Sequence, residues 1–344
     1  MSKKSCSLDP IPATVMKACY DTLLPVITDI INLSLKNASV PTAFKQAVVD
    51  PILKKDSLDH EIYGNFRPIS NLSFISKATE KVVAERLNCH LDNANLHEPF
   101  QSAYKKGHST ETALTRIHND ILRSIDDNEY VILVLLDLSA AFDTVDHYIL
   151  IERLKHRFGI TGQALTWIKS YLSERTQFVK IGSDRSNNHK LSCGVPQGSV
   201  LGPILYSMYT APLADVVNKH GLNYHFYADD SQIFLSFKPK DPGEPILSKA
   251  RVESCIQDII QWMITNKLML NHEKTELLIL YARHRPPPTL DSILVGSKTI
   301  HVSKSAKNIG IWFDTVMSMD KQIANICKSS FYHLRNIAKI SKFI

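Results

Sequence analysis

Cysteine is sparse and scattered. The six residues Cys6, Cys19, Cys89, Cys193, Cys255 and Cys327 include no C-x-x-C spacing, which signals neither a zinc site nor a disulfide framework. A reduced, intracellular setting is the expectation that follows. Long hydrophobic runs are also missing: the longest, Val131 to Leu136, falls far short of the roughly 20 apolar residues that span a bilayer. The opening Met1-Ser-Lys-Lys-Ser-Cys6 carries no secretory hydrophobic region, so no membrane partner is expected. The histidines, among them His108, His147 and His225, show no metal-ligand spacing. No fixed-period repeat or low-complexity tract is present, which excludes solenoids and coiled coils. Charge of one sign is in modest surplus, a formal +6 over 344 residues, which favours an anionic partner without specifying nucleic acid.

What is present is an ordinary globular composition, 44% hydrophobic and 22% charged, long enough for one elaborate domain or two to three subdomains. The first fifty residues read as helical, with Pro10, Pro12, Pro25 and Pro41 breaking them into short pieces. After Gly107, Ser109 or Thr110 can cap a helix whose Leu114, Ile117, Ile121 and Ile125 form one apolar stripe. Tyr130 to Leu136 is a continuous β-prone run of the kind a strand buried on both faces has, and it ends at Asp137. Two helices follow, one around Leu150, Leu154 and Phe158 stopped by Gly159 and one around Leu165, Ile168 and Leu172, then a strand from Arg175 to Gly182. Two further β-prone runs flank Asp229-Asp230-Ser231, which predicts a hairpin with two acids at its turn. A helix carrying Ile256, Ile259, Ile260 and Met263 leads to a strand near Leu277 to Tyr281. The linker Arg285-Pro-Pro-Pro288, a short β-like patch to Phe313 and a basic amphipathic stretch complete the chain.

An acid at the end of a buried strand and an acid pair at a hairpin tip provide the hard oxygen ligands that two-metal phosphoryl transfer requires. Taken singly, a strand-terminal Asp is more often a cap, and an Asp-Asp turn a solvated loop. Nor does spacing show that residues 92 positions apart meet in space.

The surrounding motifs carry more weight. Phe226-Tyr-Ala-Asp229-Asp230 matches the YADD box of reverse transcriptases, and Asp137-Leu-Ser-Ala-Ala-Phe142-Asp143-Thr-Val-Asp146-His resembles the first palm motif of LINE-like elements. Gly194-Val-Pro-Gln197-Gly198-Ser-Val-Leu-Gly-Pro203 is similar to the GVPQGSVLGP box lying between them in that family. Tyr63-Gly-Asn-Phe-Arg67-Pro-Ile-Ser resembles the fingers motif, Gln101-Ser-Ala-Tyr-Lys-Lys-Gly-His-Ser109-Thr the segment after it, Leu270-Asn-His-Glu-Lys274-Thr-Glu the LNxxKTE motif, and Lys307-Asn-Ile-Gly310-Ile the primer-grip strand. The order is complete across roughly residues 50 to 315, and Lys4-Ser-Cys-Ser-Leu-Asp-Pro-Ile-Pro resembles the connection upstream of the polymerase in the CR1/L2/jockey group. By these motifs the chain resembles the reverse transcriptase domain of a non-LTR retrotransposon.

The resemblance implies an α+β right-hand polymerase fold: an N-terminal helical extension over 1–50, fingers and an antiparallel palm sheet over 51–285, and a primer-grip strand with the start of a truncated helical thumb over 286–344. It implies RNA-directed DNA polymerase activity that adds dNTPs to a DNA primer 3′-hydroxyl on an RNA or DNA template, with Asp137, Asp229 and Asp230 as catalytic residues and ligands of two Mg²⁺ ions (Mn²⁺ being a substitute). Phe142 would reject a 2′-hydroxyl, Gln197 and Gly198 would line the nucleotide pocket, Arg67 would fork onto the triphosphate, and Lys274 would approach the leaving pyrophosphate. Lys105, Lys106, Lys321, Lys328, Arg335, Lys339 and Lys342 are candidates for gripping nucleic-acid backbones. Asp143 and Asp146, although in the same motif, read as helix caps. Asn308-Ile-Gly-Ile departs from the aromatic residue and Leu-Gly usual in the primer grip, and Ser231 replaces the commoner Thr. No endonuclease segment is visible, so the implied primer, a nick in target DNA, would come from a domain of the parent polyprotein absent from this chain. The expected location is that of a retrotransposon ribonucleoprotein, in nucleus and cytoplasm. Two rivals stand beside this reading: a catalytically silent nucleic-acid-binding remnant or domesticated fragment, and another reverse transcriptase lineage such as a group II intron maturase.

Overall fold

The structure, a computed structural model, describes residues 6–139, 142–238 and 243–341. It opens on helices α1 (Ala13–Ala18) and α2 (Tyr20–Lys36). Pro25 lies inside α2 rather than breaking it as the sequence reading expects. A proline this close to the N-terminus forfeits one i→i−4 hydrogen bond, to the carbonyl of the exposed Asp21, and water can satisfy that carbonyl. Antiparallel strands β1 (Gln46–Leu53) and β2 (Phe66–Asn71) come next, then α3 (Phe74–Asn93). Ser109 caps α4 (Thr110–Asp126) in a reciprocal capping box with Thr112, and the predicted stripe of Leu114, Ile117 and Ile121 is buried. The apolar run forms β3 (Tyr130–Leu136), buried along its whole length, and the two-residue β4 (Leu138–Ser139) follows Asp137.

Asp146 caps α5 (His147–His156) by accepting from the Ile149 amide at 3.0 Å. That helix stops where predicted: Gly159 takes φ +65°, and the Ile160 amide returns to the Leu154 carbonyl. Helix α6 (Gly162–Leu172) leads to β5 (Arg175–Ile181), β6 (Asp184–Arg185) and β7 (His189–Leu191). Helices α7 (Gly202–Thr210) and α8 (Leu213–Lys219) precede the hairpin of β8 (Asn223–Tyr227) and β9 (Asp230–Phe237). Helix α9 (Glu244–Thr265) is followed by β10 (Met269–Leu270), β11 (Glu276–Leu280), β12 (Ser292–Val295), β13 (Lys298–His301), β14 (Ser305–Asn308), β15 (Ile311–Asp314) and α10 (Asp320–Ile340). No helix among the described residues is long and apolar enough to cross a membrane.

These elements fall into two compact units. The first takes the described residues of 1–98, 140–211 and 266–268. Its sheet runs β2-β1-β5-β6, with β7 also on β5 and with β1 and β5 parallel. Leu150, Leu154, Leu165, Ile168 and Leu205 from α5, α6 and α7 form much of its buried apolar interior. The second unit takes the described residues of 99–139, 212–265 and 269–344 around the antiparallel sheet β11-β3-β9-β8. All of β3 is buried, so its side chains are covered on both faces, which explains a strand without polar alternation. Leu114, Ile117 and Ile121 of α4 pack with Val131, Leu133, Phe234, Leu278 and Phe313 into one cluster. Burying each such side chain contributes about 1.5–3 kcal/mol.

Candidate active site

Sheet register places the acids of the second unit. β3 and β9 pair antiparallel through Leu135↔Gln232 and Leu136↔Ser231, so one further step sets Asp137 across from Asp230. The β8–β9 hairpin turns on Ala228 and Asp229, since Tyr227 pairs with Asp230. The acid pair is therefore split, Asp229 in the turn and Asp230 opening the strand, where the sequence suggested both at the tip. Ala228 takes φ +58°, the left-handed conformation that a two-residue hairpin imposes on its first residue.

The same register logic brings in Lys274. β10 pairs with β4 through Leu270↔Leu138, and the Asn271 amide donates to the Asp137 carbonyl at 2.9 Å. A turn follows, with the Lys274 amide donating to the Asn271 carbonyl, and it delivers Lys274 Nζ to Asp137 Oδ2 at 2.7 Å. Lys274 is 63% exposed and Asp137 20%, so this ion pair adds little to stability. It does show that the acids form an anionic locus already attracting a cation.

Burial, then the carboxylates of Asp229 and Asp137, raise the pKa of Asp230 to about 6, with Lys274 opposing. Like charges set across a sheet repel, and an oxygen-binding cation is the species that would relieve them. Asp137, Asp230, Gln232, Lys274, Lys307 and Asn308 line a cleft of about 360 Å³ in this unit. The donor set suits a hard divalent ion. Among the described residues, however, no three acidic, histidine or cysteine side chains are gathered as a ready coordination shell. A larger cleft, about 810 Å³, lies in the first unit among Leu35, Arg86, Leu87, His90 and Trp167, and neither an acid nor a predicted site residue lines it.

The first unit gathers the other predicted residues. Phe142 is half-buried and stacks on Tyr206, ring centroids 4.6 Å apart. Its carbonyl accepts from the Val195 amide at 2.8 Å, and the Gly194 amide donates to the Val145 carbonyl at 2.7 Å. Gly194 is required there: φ is +83° and a Cβ would come within 2.8 Å of the Asp143 carbonyl oxygen. Gln197 Nε2 donates to Asp143 Oδ2 at 3.1 Å, and its carbonyl accepts from the Ser70 amide at 2.7 Å. Gly198, at φ +117°, lies where a Cβ would meet the Ser70 carbonyl at 2.6 Å. The Gln197-Gly198 turn thus rests on β2, the strand that carries the exposed Arg67.

Two of these contacts were not foreseen. Asp143 caps no helix, unlike Asp146; it orients Gln197, and burial raises its pKa. Glu80, buried on α3, accepts from the Val200 and Leu201 amides at 2.7 and 3.1 Å, holding the chain just after the Gln197-Gly198 turn. No sequence signal marked Glu80, because a single glutamate in a helix reads as a solvated face.

Of the basic residues proposed to grip nucleic acid, Lys321 is engaged locally, donating to Ser305 Oγ at 2.8 Å and lying over the Trp312 ring. Lys342 lies outside the described residues.

The family model of the reverse transcriptases (RNA-dependent DNA polymerases) matches residues 52–313. The chain belongs to the reverse transcriptase family. Among curated relatives it is 35% identical over 211 residues to the probable RNA-directed DNA polymerase from transposon BS of Drosophila melanogaster, covering 61% of this chain and 23% of that protein. To the RNA-directed DNA polymerase from mobile element jockey of the same species it is 26% identical, over 94% of this chain and 35% of the relative. The probable polymerase from transposon X-element matches to the same extent. These relatives make the chain a reverse transcriptase domain of the non-LTR retrotransposon type, spanning about a third or less of their length. Among solved structures, truncated apo telomerase of Candida tropicalis matches with TM-score 0.55 at 16% identity, over 84% of this chain and 58% of that one. That likeness, with the mixed helices and sheets, supports the expected right-hand polymerase fold. Divalent-metal use and nucleic-acid and dNTP substrates belong to this family generally.

Proposed function

We propose that this reverse transcriptase domain extends a DNA primer on an RNA or DNA template, with Asp137, Asp229 and Asp230 as its chemical centre. The observation that carries this reading is the register that sets Asp137 across from Asp230 beside the Asp229 turn, with burial and then the two neighbouring carboxylates raising the pKa of Asp230. Those three carboxylates would hold two Mg²⁺ ions, Mn²⁺ being able to substitute, which when bound supply activation of the primer 3′-hydroxyl and charge stabilisation at the departing pyrophosphate.

The chain's own residues do the rest. Lys274, kept near Asp137 by the Asn271 turn, carries an ammonium that offsets developing charge and can give a proton to the leaving group. Arg67, exposed on β2, keeps its charge at any working pH and can fork onto phosphate oxygens. The Phe142 ring, braced by Tyr206, forms a wall against a 2′-hydroxyl. Gln197, fixed through Asp143 and Ser70, offers a backbone and amide surface to the nucleotide together with Gly198. As the resemblance of its motifs to non-LTR elements implies, the primer would be a nick in target DNA made by an endonuclease domain of a parent polyprotein, in a ribonucleoprotein of nucleus and cytoplasm.

Primer extension on poly(rA)/oligo(dT) with Mg²⁺ tests the proposal. Incorporation by the wild type and none by Asp229→Ala is the expected result. Binding of the hybrid without incorporation would identify a silent nucleic-acid-binding remnant instead.

A further inference from the structure

The Gln101-Ser-Ala-Tyr motif is left without a role by the reading above, apart from its lysines. In the second unit, residues Phe100 to Ser102 lie along β8, the outer strand of the sheet, forming a parallel bridge between Gln101 and Phe226. The Phe226 amide donates to the Phe100 carbonyl at 2.8 Å, and the Ser102 amide donates to the Phe226 carbonyl at 3.1 Å. Phe100 is held in turn by an edge contact with Tyr224, centroids 5.1 Å apart, and by the Arg116 guanidinium 4.1 Å over its ring. Ser102 Oγ meets His225 Nε2 at 2.9 Å. The segment is therefore fixed to the hairpin at several points, and only 7% of Gln101 is exposed.

From that position Gln101 Oε1 accepts from two amides, Ala103 at 2.9 Å and Ala228 at 3.2 Å. Ala228 is the residue at φ +58° immediately before Asp229. A non-glycine residue in the left-handed region is strained and keeps that conformation only where its surroundings impose it. The hairpin geometry imposes part of this, and the Gln101 side-chain oxygen holds the amide of the turn's first residue.

We infer that Gln101 is a positioning residue: its side-chain oxygen locks the Ala228 amide, and through it the direction of the Asp229 carboxylate. The inference rests on the proposed polymerase reading. Gln101→Met keeps length and volume but offers no oxygen, leaving a buried donor at Ala103 and a part-buried one at Ala228 unpaired and the turn free to relax. Displacing a reacting group by about 1 Å can cost up to about a hundredfold in rate. Gln101→Glu keeps an oxygen acceptor at the same reach.

Single-nucleotide extension by the full chain, with amide hydrogen exchange at Ala228, is the test. The expected outcome for Gln101→Met, assayed well below its melting temperature, is a kcat lower by about ten- to a hundredfold with a dNTP KM close to wild type, while the unpaired donors lower the melting temperature. Ala228 exchange should be slow in the wild type and fast in the variant, and Gln101→Glu should recover much of the lost kcat. A Gln101→Met enzyme as fast as wild type, or a Gln101→Glu enzyme no better than Gln101→Met, would overturn the inference. Should Gln101→Met not fold, rapid exchange at Ala228 in the wild type would overturn it and slow exchange would support it. Absence of incorporation by the wild type would sink the polymerase reading instead, while the exchange measurement still decides the role of Gln101 in the turn.

Discussion

Asp230 stands half-buried beside Asp229 and across from Asp137, with a pKa of about 6 against an ordinary value of 3.8. A carboxyl whose pKa is raised on folding favours the folded chain only while protonated. Its contribution is fully present below the unfolded value and lost as pH rises through the folded one. Asp230→Asn should therefore be more stable than wild type at pH 8 without divalent metal. That advantage should shrink as pH falls from about 6 to about 4, and urea unfolding of both proteins across this range would show it. A difference independent of pH would mean that neither burial nor the neighbouring acids raise the Asp230 carboxyl. Phe142 makes a second prediction: Phe142→Ala should accept ribonucleotides at a rate at least about tenfold closer to that for deoxynucleotides, because one steric contact contributes about 1–3 kcal/mol of discrimination. Competing rNTP and dNTP incorporation measures it. Both residues were proposed from the motifs around them. Asp143 was not read correctly, because its partner Gln197 is distant in sequence and only folding joins them.

Among the elements, the strands and helices with unbroken patterns were the most legible. The β3 run, the α4 stripe with its Ser109 cap and the Gly159 stop all form as the periodicity indicates. Pro25 misled because its helix loses only one hydrogen bond there, at an exposed turn. What the pattern could not show is how one element holds another. Glu80 of α3 satisfies the two amides at the start of α7, and burial raises its pKa, with those same hydrogen bonds opposing. Glu80→Ala should strand both donors and destabilise the chain by about 2–4 kcal/mol, which denaturant unfolding would register. Glu80→Gln, which keeps an acceptor oxygen, should lose less. Equal losses would indicate that charge rather than the two hydrogen bonds matters at this position.

Over the molecule as a whole, the motif order predicted the family and fold class, and the family match over residues 52–313 agrees with it. Net charge contributed little, as +6 over 344 residues left nucleic-acid binding undecided. The acids, by contrast, were singled out by the motifs around them, and two antiparallel pairings carry Asp137, Asp230 and Lys274 to one cleft of the second unit. In the proposed reaction, this cleft is where phosphoryl transfer occurs. The most direct test of that assignment is the single-turnover rate of dTMP addition to oligo(dT) on poly(rA), comparing wild type with Asp137→Asn at saturating template-primer. Measurable addition by the wild type and a loss of at least about a hundredfold in the variant are expected, with template-primer affinity and melting temperature unchanged. Addition by Asp137→Asn at the wild-type rate would contradict it.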